Sequence, residues 1–154
     1  MIQLLLARHA KSEWGDSGLD DHDRPLDDRG RRDAPAMART LQRAGVRPAV
    51  LLSSSAVRAR ETAAVFANAF DVDVTEQPQL YLAPPDRLLE AARASGADEV
   101  MVVAHDPGMS ALVSRLADRE ERMATCAVAV FTWHDGTWDD VDATPPDEFD
   151  LYTP

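Results

Sequence analysis

Met1-Ile2-Gln3-Leu4-Leu5-Leu6-Ala7-Arg8-His9 opens the chain with a short apolar run that ends on a guanidinium and an imidazole. A run of this length and composition predicts a buried strand. A core strand has no packing reason to finish on two polar, ionisable side chains. In open α/β sheets, ligands bind in the crevice beyond the carboxyl ends of the strands. Arg8-His9 is therefore a candidate for the chemistry, with a solvated strand end as the plain structural alternative.

Outward from this stretch, strand and helix signals alternate. Lys11 to Arg24 is polar, lacks helical periodicity and reads as a substrate-facing loop. Asp27 or Asp28 suits the N-cap of a helix that reaches about Ala44 and stops at Gly45. Pro35 falls inside that helix and predicts a kink or a late start. Ala49 to Leu52 is a second buried strand. Three serines, Ser53 to Ser55, separate it from a helix over 56–70, with Val57, Ala64, Val65 and Phe66 inward. A short edge strand over 72–75 and a loop over 77–84 follow. Pro85 suits the first turn of a helix through Ala94. Glu99 to Ala104 is the strongest strand signal, and His105 follows it at once. Asp106-Pro107-Gly108 leads into a helix to about Leu116. Ala127 to Trp133 is rich in strand formers, and Asp135-Gly136 predicts a hairpin turn returning through Trp138. The remainder reads as a surface tail or edge strand. The alternation predicts a single three-layer α/β/α domain over 1–154, with a mostly parallel central sheet flanked by helices.

Bulk properties narrow the function. The 154 residues carry a net charge of −11, and no Lys or Arg occurs after Arg122. Such a surface repels nucleic-acid backbone and anionic membranes. The acidic C-terminal segment reads as a solubilising face. One cysteine, Cys126, excludes a disulfide framework and reads as a small core residue. No apolar run approaches membrane length and no leader pattern is present. These features predict a cytoplasmic protein, a monomer or weak dimer.

Three groups share one topological address. Arg8-His9 follows the first strand, Ser53-Ser54-Ser55 and Arg58 follow the second, and His105 follows the strand at 99–104. Parallel neighbouring strands would bring them together above one sheet edge. A helix starting near Ala56 would aim its free N–H groups there, where anions bind. Two arginines in so acidic a protein point to an anionic substrate group, and guanidinium forks match phosphate oxygens. A neutral histidine with one nitrogen free can attack phosphorus while the other donates to a carbonyl or carboxylate. The arginines should lower its pKa below the unperturbed ~6.5. A second histidine could stabilise charge on the transferring oxygens. Arg8 and Arg58 would repel a cation and no metal-ligand histidine spacing occurs, so neither metal nor other cofactor is expected. His134 reads as a turn residue and His22 as part of a solvated loop, with a place at the pocket mouth as the alternative.

The stretches Leu5-Leu6-Ala7-Arg8-His9-Ala10-Lys11-Ser12-Glu13-Trp14, Ser54-Ser55-Ala56-Val57-Arg58-Ala59-Arg60-Glu61-Thr62-Ala63 and Val102-Val103-Ala104-His105-Asp106-Pro107-Gly108 resemble the three ordered motifs of the histidine phosphatase (phosphoglycerate mutase-like) superfamily. Pro25-Leu26-Asp27-Asp28-Arg29-Gly30 is similar to the start of its first helix. The short length and the Arg-His-Ala-Lys-Ser variant are most similar to the SixA-type phosphohistidine phosphatases. The resemblance implies that His9 is a transiently phosphorylated nucleophile, that Arg8, Arg58 and His105 grip the phosphoryl group, and that Ser12 lies near it. Ala10 replaces the family's usual glycine. The glutamate acid of larger members has no counterpart in Gln79-Leu80-Tyr81-Leu82, which leaves Asp86 and Glu13 as the nearest candidates for a general acid. An alkyl ester needs proton donation to its leaving group. A phosphoramidate leaves more easily once its nitrogen is protonated. The reading therefore leans toward phosphohistidine in a protein, with a small phosphorylated metabolite as the alternative substrate. A non-catalytic phosphate-binding module is the reading from another class.

Overall fold

The computed structural model describes residues 1–14 and 18–154. Residues 15–17, within the loop between Lys11 and Arg24, lie outside the described residues. Six strands form one sheet: β1 (Ile2–Arg8), β2 (Val50–Ser53), β3 (Val74–Glu76), β4 (Glu99–Ala104), β5 (Val128–Trp133) and β6 (Glu148–Tyr152). Their spatial order is β3-β2-β4-β1-β5-β6. β1, β2, β3 and β4 pair in parallel, whereas β5 runs antiparallel to both β1 and β6. Four helices flank the sheet: α1 (Asp28–Arg43), α2 (Val57–Phe70), α3 (Pro85–Ala94) and α4 (Gly108–Ala117).

Both faces of the central strands are buried, as covered parallel sheets require. On β1, Ile2, Leu4 and Leu6 join one core with α3 and α4, through Leu88, Leu112 and Val113. Leu5 and Ala7 point the other way, into a second core with α1 and α2, through Met37, Leu41 and Phe66. Strand β4 alternates likewise, with Val100 and Val102 in the first core and Met101 and Val103 in the second. The sequence of β1 is thus apolar at every position from Leu4 to Ala7 because each face meets a helix layer. Among the described residues, no helix is long and apolar enough to cross a membrane.

Local chemistry explains the boundaries. The Asp27 side chain accepts from the Gly30 N–H at 2.8 Å and caps α1. The helix starts at Asp28 and runs through Pro35 to Arg43, so the late start does not occur. Ala34, Met37, Ala38 and Leu41 are buried along it, and this packing outweighs the one backbone hydrogen bond a proline removes. The inward face of α2 also differs from the prediction. Arg58, Ala59, Thr62, Ala63, Phe66 and Ala67 are buried, Val57 and Val65 are half-buried, and Ala64 is exposed. Turning Arg58 and Thr62 inward sets the helix's rotation. β3 begins at Val74 rather than Val72, because Asp71 is left-handed (φ 54°) and the Val72 N–H closes the end of α2 on the Ala67 carbonyl.

The predicted hairpin at Asp135-Gly136 does not form. Gly136 is not among the left-handed glycines, which a two-residue primed turn would require. Thr137 and Asp140 instead cap a short 3-10 turn over Trp138–Asp140, and the returning strand is β6. The acidic C-terminal segment is therefore partly an edge strand.

Candidate active site

The carboxyl ends of β1, β4 and β2 are adjacent in the sheet, and this adjacency builds the site. His9 leaves β1 with its N–H donated to the Ala104 carbonyl of β4, and Ser54 leaves β2 with its N–H donated to Val103. The backbone N–H of Cys126, at φ 64°, points at the Arg8 and His9 carbonyls. The strand ends are thus fixed to one another before any side chain is considered. Ala10 is buried, and its N–H donates to the Thr62 hydroxyl of α2, so a Cβ is accommodated there.

His9 is 7% exposed. Its Nδ1 lies 2.8 Å from the Ala10 carbonyl, which can only accept, so Nδ1 carries the proton and Nε2 keeps its lone pair. Arg58 Nε donates to that Nε2 at 3.3 Å. Burial pushes the His9 pKa from 6.5 down to about 4, with Arg58, Arg8 and Arg24 adding to the effect and the Ala10 carbonyl opposing it. The arginine effect anticipated from sequence is present, but burial is larger. The His105 ring lies 5.2 Å from that of His9. His105 Nε2 is 2.7 Å from the Ser54 hydroxyl, whereas its buried Nδ1 has no protein partner. Burial, then His9 and Arg58, lower the His105 pKa to about 3. Burial therefore favours the neutral form of both imidazoles.

A cavity of about 400 Å³ opens over these groups, lined among others by Arg8, Ser12, Trp14, Asp21, Arg24 and Asp106. Arg8 donates to the Met123 carbonyl at 2.9 Å, and its buried Nε has no partner. Arg58 is almost fully buried and grips Asp21 through its carbonyl at 2.6 Å and its carboxylate at 3.0 Å. Arg24 adds a third guanidinium. It donates to the Ser12 hydroxyl at 2.8 Å and to Asp21 at 3.1 Å, and stacks 3.9 Å over Trp14. Ser12 thus lines the cavity and also positions Arg24. Asp21 ties Arg24, Arg58 and the Tyr81 hydroxyl together, and the Tyr81 hydrogen bond and the guanidinium partners hold its carboxyl well below the usual range.

Sequence reasoning singled out Arg8, His9, Ser12, Arg58 and His105, and all five line or border this cavity. It missed Arg24, Asp21, Tyr81 and the placement of Asp106. Arg24 stands immediately before the Pro25-Leu26-Asp27 helix start, and Asp106 immediately after His105, so both were adjacent to recognised signals. Asp21 and Tyr81 carried no such signal, since nothing local pairs a loop aspartate with a tyrosine 60 residues away. His22, read as solvated, contacts Ser55 at 2.8 Å and meets Tyr81 edge-on at 4.8 Å, because the 3-10 turn at Asp21–Asp23 presses it against the rim. The two acid candidates are not brought to the reacting groups. Asp86 pairs with Arg115 at 2.8 Å on the surface, its side chain 86% exposed. Glu13 does not line the cavity. His134 follows β5 and pairs with Glu148.

Guanidiniums gathered around an imidazole of lowered pKa, at the carboxyl ends of parallel strands, suit the phosphoryl chemistry of the phosphatase class. The family model described as Histidine phosphatase superfamily (branch 1) matches residues 4–81, and the chain belongs to that superfamily. It is 37% identical over 150 residues to an uncharacterized protein of Mycobacterium tuberculosis, covering 88% of this chain and 91% of the relative. A solved structure of a candidate phosphohistidine phosphatase SixA from Agrobacterium tumefaciens is similar at 25% identity with a TM-score of 0.83, covering 99% of this chain and 98% of that one. Another candidate SixA, from Nakamurella multipartitia, is similar at 29% identity with a TM-score of 0.81, covering 99% and 96%. Over nearly its whole length the chain is thus similar to SixA-type structures.

Proposed function

We propose that the chain, acting over 1–154 as one domain, removes phosphate from phosphohistidine in a protein by way of a phosphorylated His9. One observation carries this reading: His9 presents an unprotonated Nε2 to a cavity with three guanidiniums, while Nδ1–H is held by Ala10. The Nε2 lone pair attacks phosphorus, and the bond to the leaving group breaks with its electron pair going to that group. Arg8, Arg24 and Arg58 hold the phosphoryl oxygens, and the burial of Arg24 and Arg58 makes their contacts worth more than in water. His105 offers its unpartnered Nδ1 to the same oxygens. Water then attacks the phosphorus, the electron pair returns to His9 Nε2, and inorganic phosphate leaves as the dihydrogen ion with both protons of that water. Ser12 acts through Arg24. The assigned residues use no metal, and neither nucleic acid nor membrane enters the scheme.

The SixA-type likeness, and the lack among the described residues of a carboxyl group free to donate a proton beside His9, favour phosphohistidine over a small-molecule ester. The test compares turnover of a phosphohistidine peptide with that of sugar phosphates, and maps the adduct. An acid-labile, alkali-stable phosphoryl group on His9 and preference for the peptide are expected. Preference for a sugar phosphate would transfer the reading to a small-molecule phosphomonoesterase. Undiminished turnover by His9→Ala would remove the nucleophile assignment.

A further inference from the structure

We propose that Asp106 is the counter-ion for a cationic leaving nitrogen, and that this fixed carboxylate selects phosphoramidates over phosphate esters. The proposal rests on His9 being the nucleophile and deepens the substrate reading above.

Among the described residues, the cavity is lined by two carboxylates, Asp21 and Asp106. Asp21 is occupied: one oxygen accepts from Arg24, the other from Arg58 and Tyr81. Asp106 is differently placed. One oxygen accepts from the Ser110 N–H at 2.8 Å and the other from the Ser110 hydroxyl at 2.8 Å, with Arg8 at 3.7 Å. A carboxylate has about four acceptor sites, so acceptor capacity remains towards the cavity. Ser110, one turn into α4, fixes the group as an acceptor. It also stands at a junction. Arg8 and Asp106 line both the cavity over His9 and a second cavity of about 460 Å³ that runs along α4 past Ser110, Ser114 and Arg122. The second cavity contains neither histidine, so it accommodates what is attached to phosphorus rather than the phosphoryl group.

Charge decides which leaving group such a wall tolerates. A phosphate ester departs as a developing oxyanion, which a fixed carboxylate repels. A phosphohistidine protonated on its second ring nitrogen is cationic on that ring, and the carboxylate attracts it. Bound beside Asp106, the ring keeps its proton. The His9 Nε2–P bond forms and the P–N bond to the substrate ring breaks. The bonding pair returns to the substrate nitrogen, and a neutral imidazole leaves with the N–H it brought. The enzyme supplies no proton, which matches a cavity whose carboxylates both serve as acceptors.

The test measures kcat/KM of the full chain and of Asp106→Asn and Asp106→Glu for a phosphohistidine peptide and for an aryl phosphate. Asn retains an acceptor for the Ser110 N–H but removes the charge. The peptide-to-aryl ratio should fall about tenfold or more in Asp106→Asn, and Asp106→Glu should recover part of it. Thermal melts of each variant separate this from misfolding, since a folding defect lowers both substrates together and leaves the ratio fixed. An unchanged ratio in a folded Asp106→Asn overturns the proposal, as does a larger loss on the aryl ester, which would make Asp106 a proton donor. A wild-type enzyme that ignores the peptide overturns the phosphohistidine reading instead.

Discussion

Acidification from about pH 7.5 to about pH 5 tests whether the fold holds His9 neutral. Burial and the surrounding arginines bring its pKa from 6.5 to about 4. In the unfolded chain it titrates near ~6.5. Between those values the unfolded state binds a proton that the folded state refuses, so stability falls as pH falls. The contribution is fully present above about pH 6.5 and is lost progressively toward about pH 4. Linkage gives a loss of roughly 2 kcal/mol from this one group at about pH 5. His105, pushed down to about 3, acts in the same direction. The assay is urea denaturation followed by tryptophan fluorescence, for wild type and His9→Gln at both pH values. Wild type should lose roughly 2 kcal/mol more than the variant over this interval. Equal losses would refute the burial argument and return His9 to an ordinary titration.

Three further outcomes follow from the same geometry. Arg58→Lys replaces a fork that reaches His9 and Asp21 together with one point charge, so kcat/KM should drop roughly a hundredfold or more in steady-state assays. A Cβ on Gly108 would sit 2.0 Å from the Ala83 carbonyl; Gly108→Ala should lower stability by about 1–3 kcal/mol in denaturant titrations. Burial pushes the Cys126 thiol up to about 12, so an alkylating reagent at neutral pH should label it only after unfolding, as mass spectrometry would show.

The parts of this architecture legible in the sequence are those set by local pattern. β1 and β4 announce themselves as unbroken apolar runs because both faces are covered, and Arg8-His9 and His105 stand out for interrupting them. Asp27 marks its helix because capping is a three-residue affair. The misread elements depend on distant partners. The face of α2 is chosen by Arg58 reaching Asp21, 37 residues earlier, and not by hydrophobic periodicity. Trp138 forgoes the hairpin because its indole N–H donates to the Ala97 carbonyl 41 residues away. Asp86 seemed a plausible acid from its place in the chain, yet it faces Arg115 across the surface. In each case a contact closed by the tertiary fold overrides the local preference.

The order β3-β2-β4-β1-β5-β6 has a kinetic consequence. The strands that deliver Ser54, His105 and His9 are β2, β4 and β1, each hydrogen-bonded on both sides, so their amides belong to the slowest-exchanging part of the molecule. Local opening reaches such strands only when the whole domain unfolds. Among the described residues, the rim formed by Trp14 (74% exposed) and Leu82 (52% exposed, at φ 50°) carries no comparable network. Deuterium exchange would therefore divide the site into a rapidly breathing mouth and a nearly frozen floor.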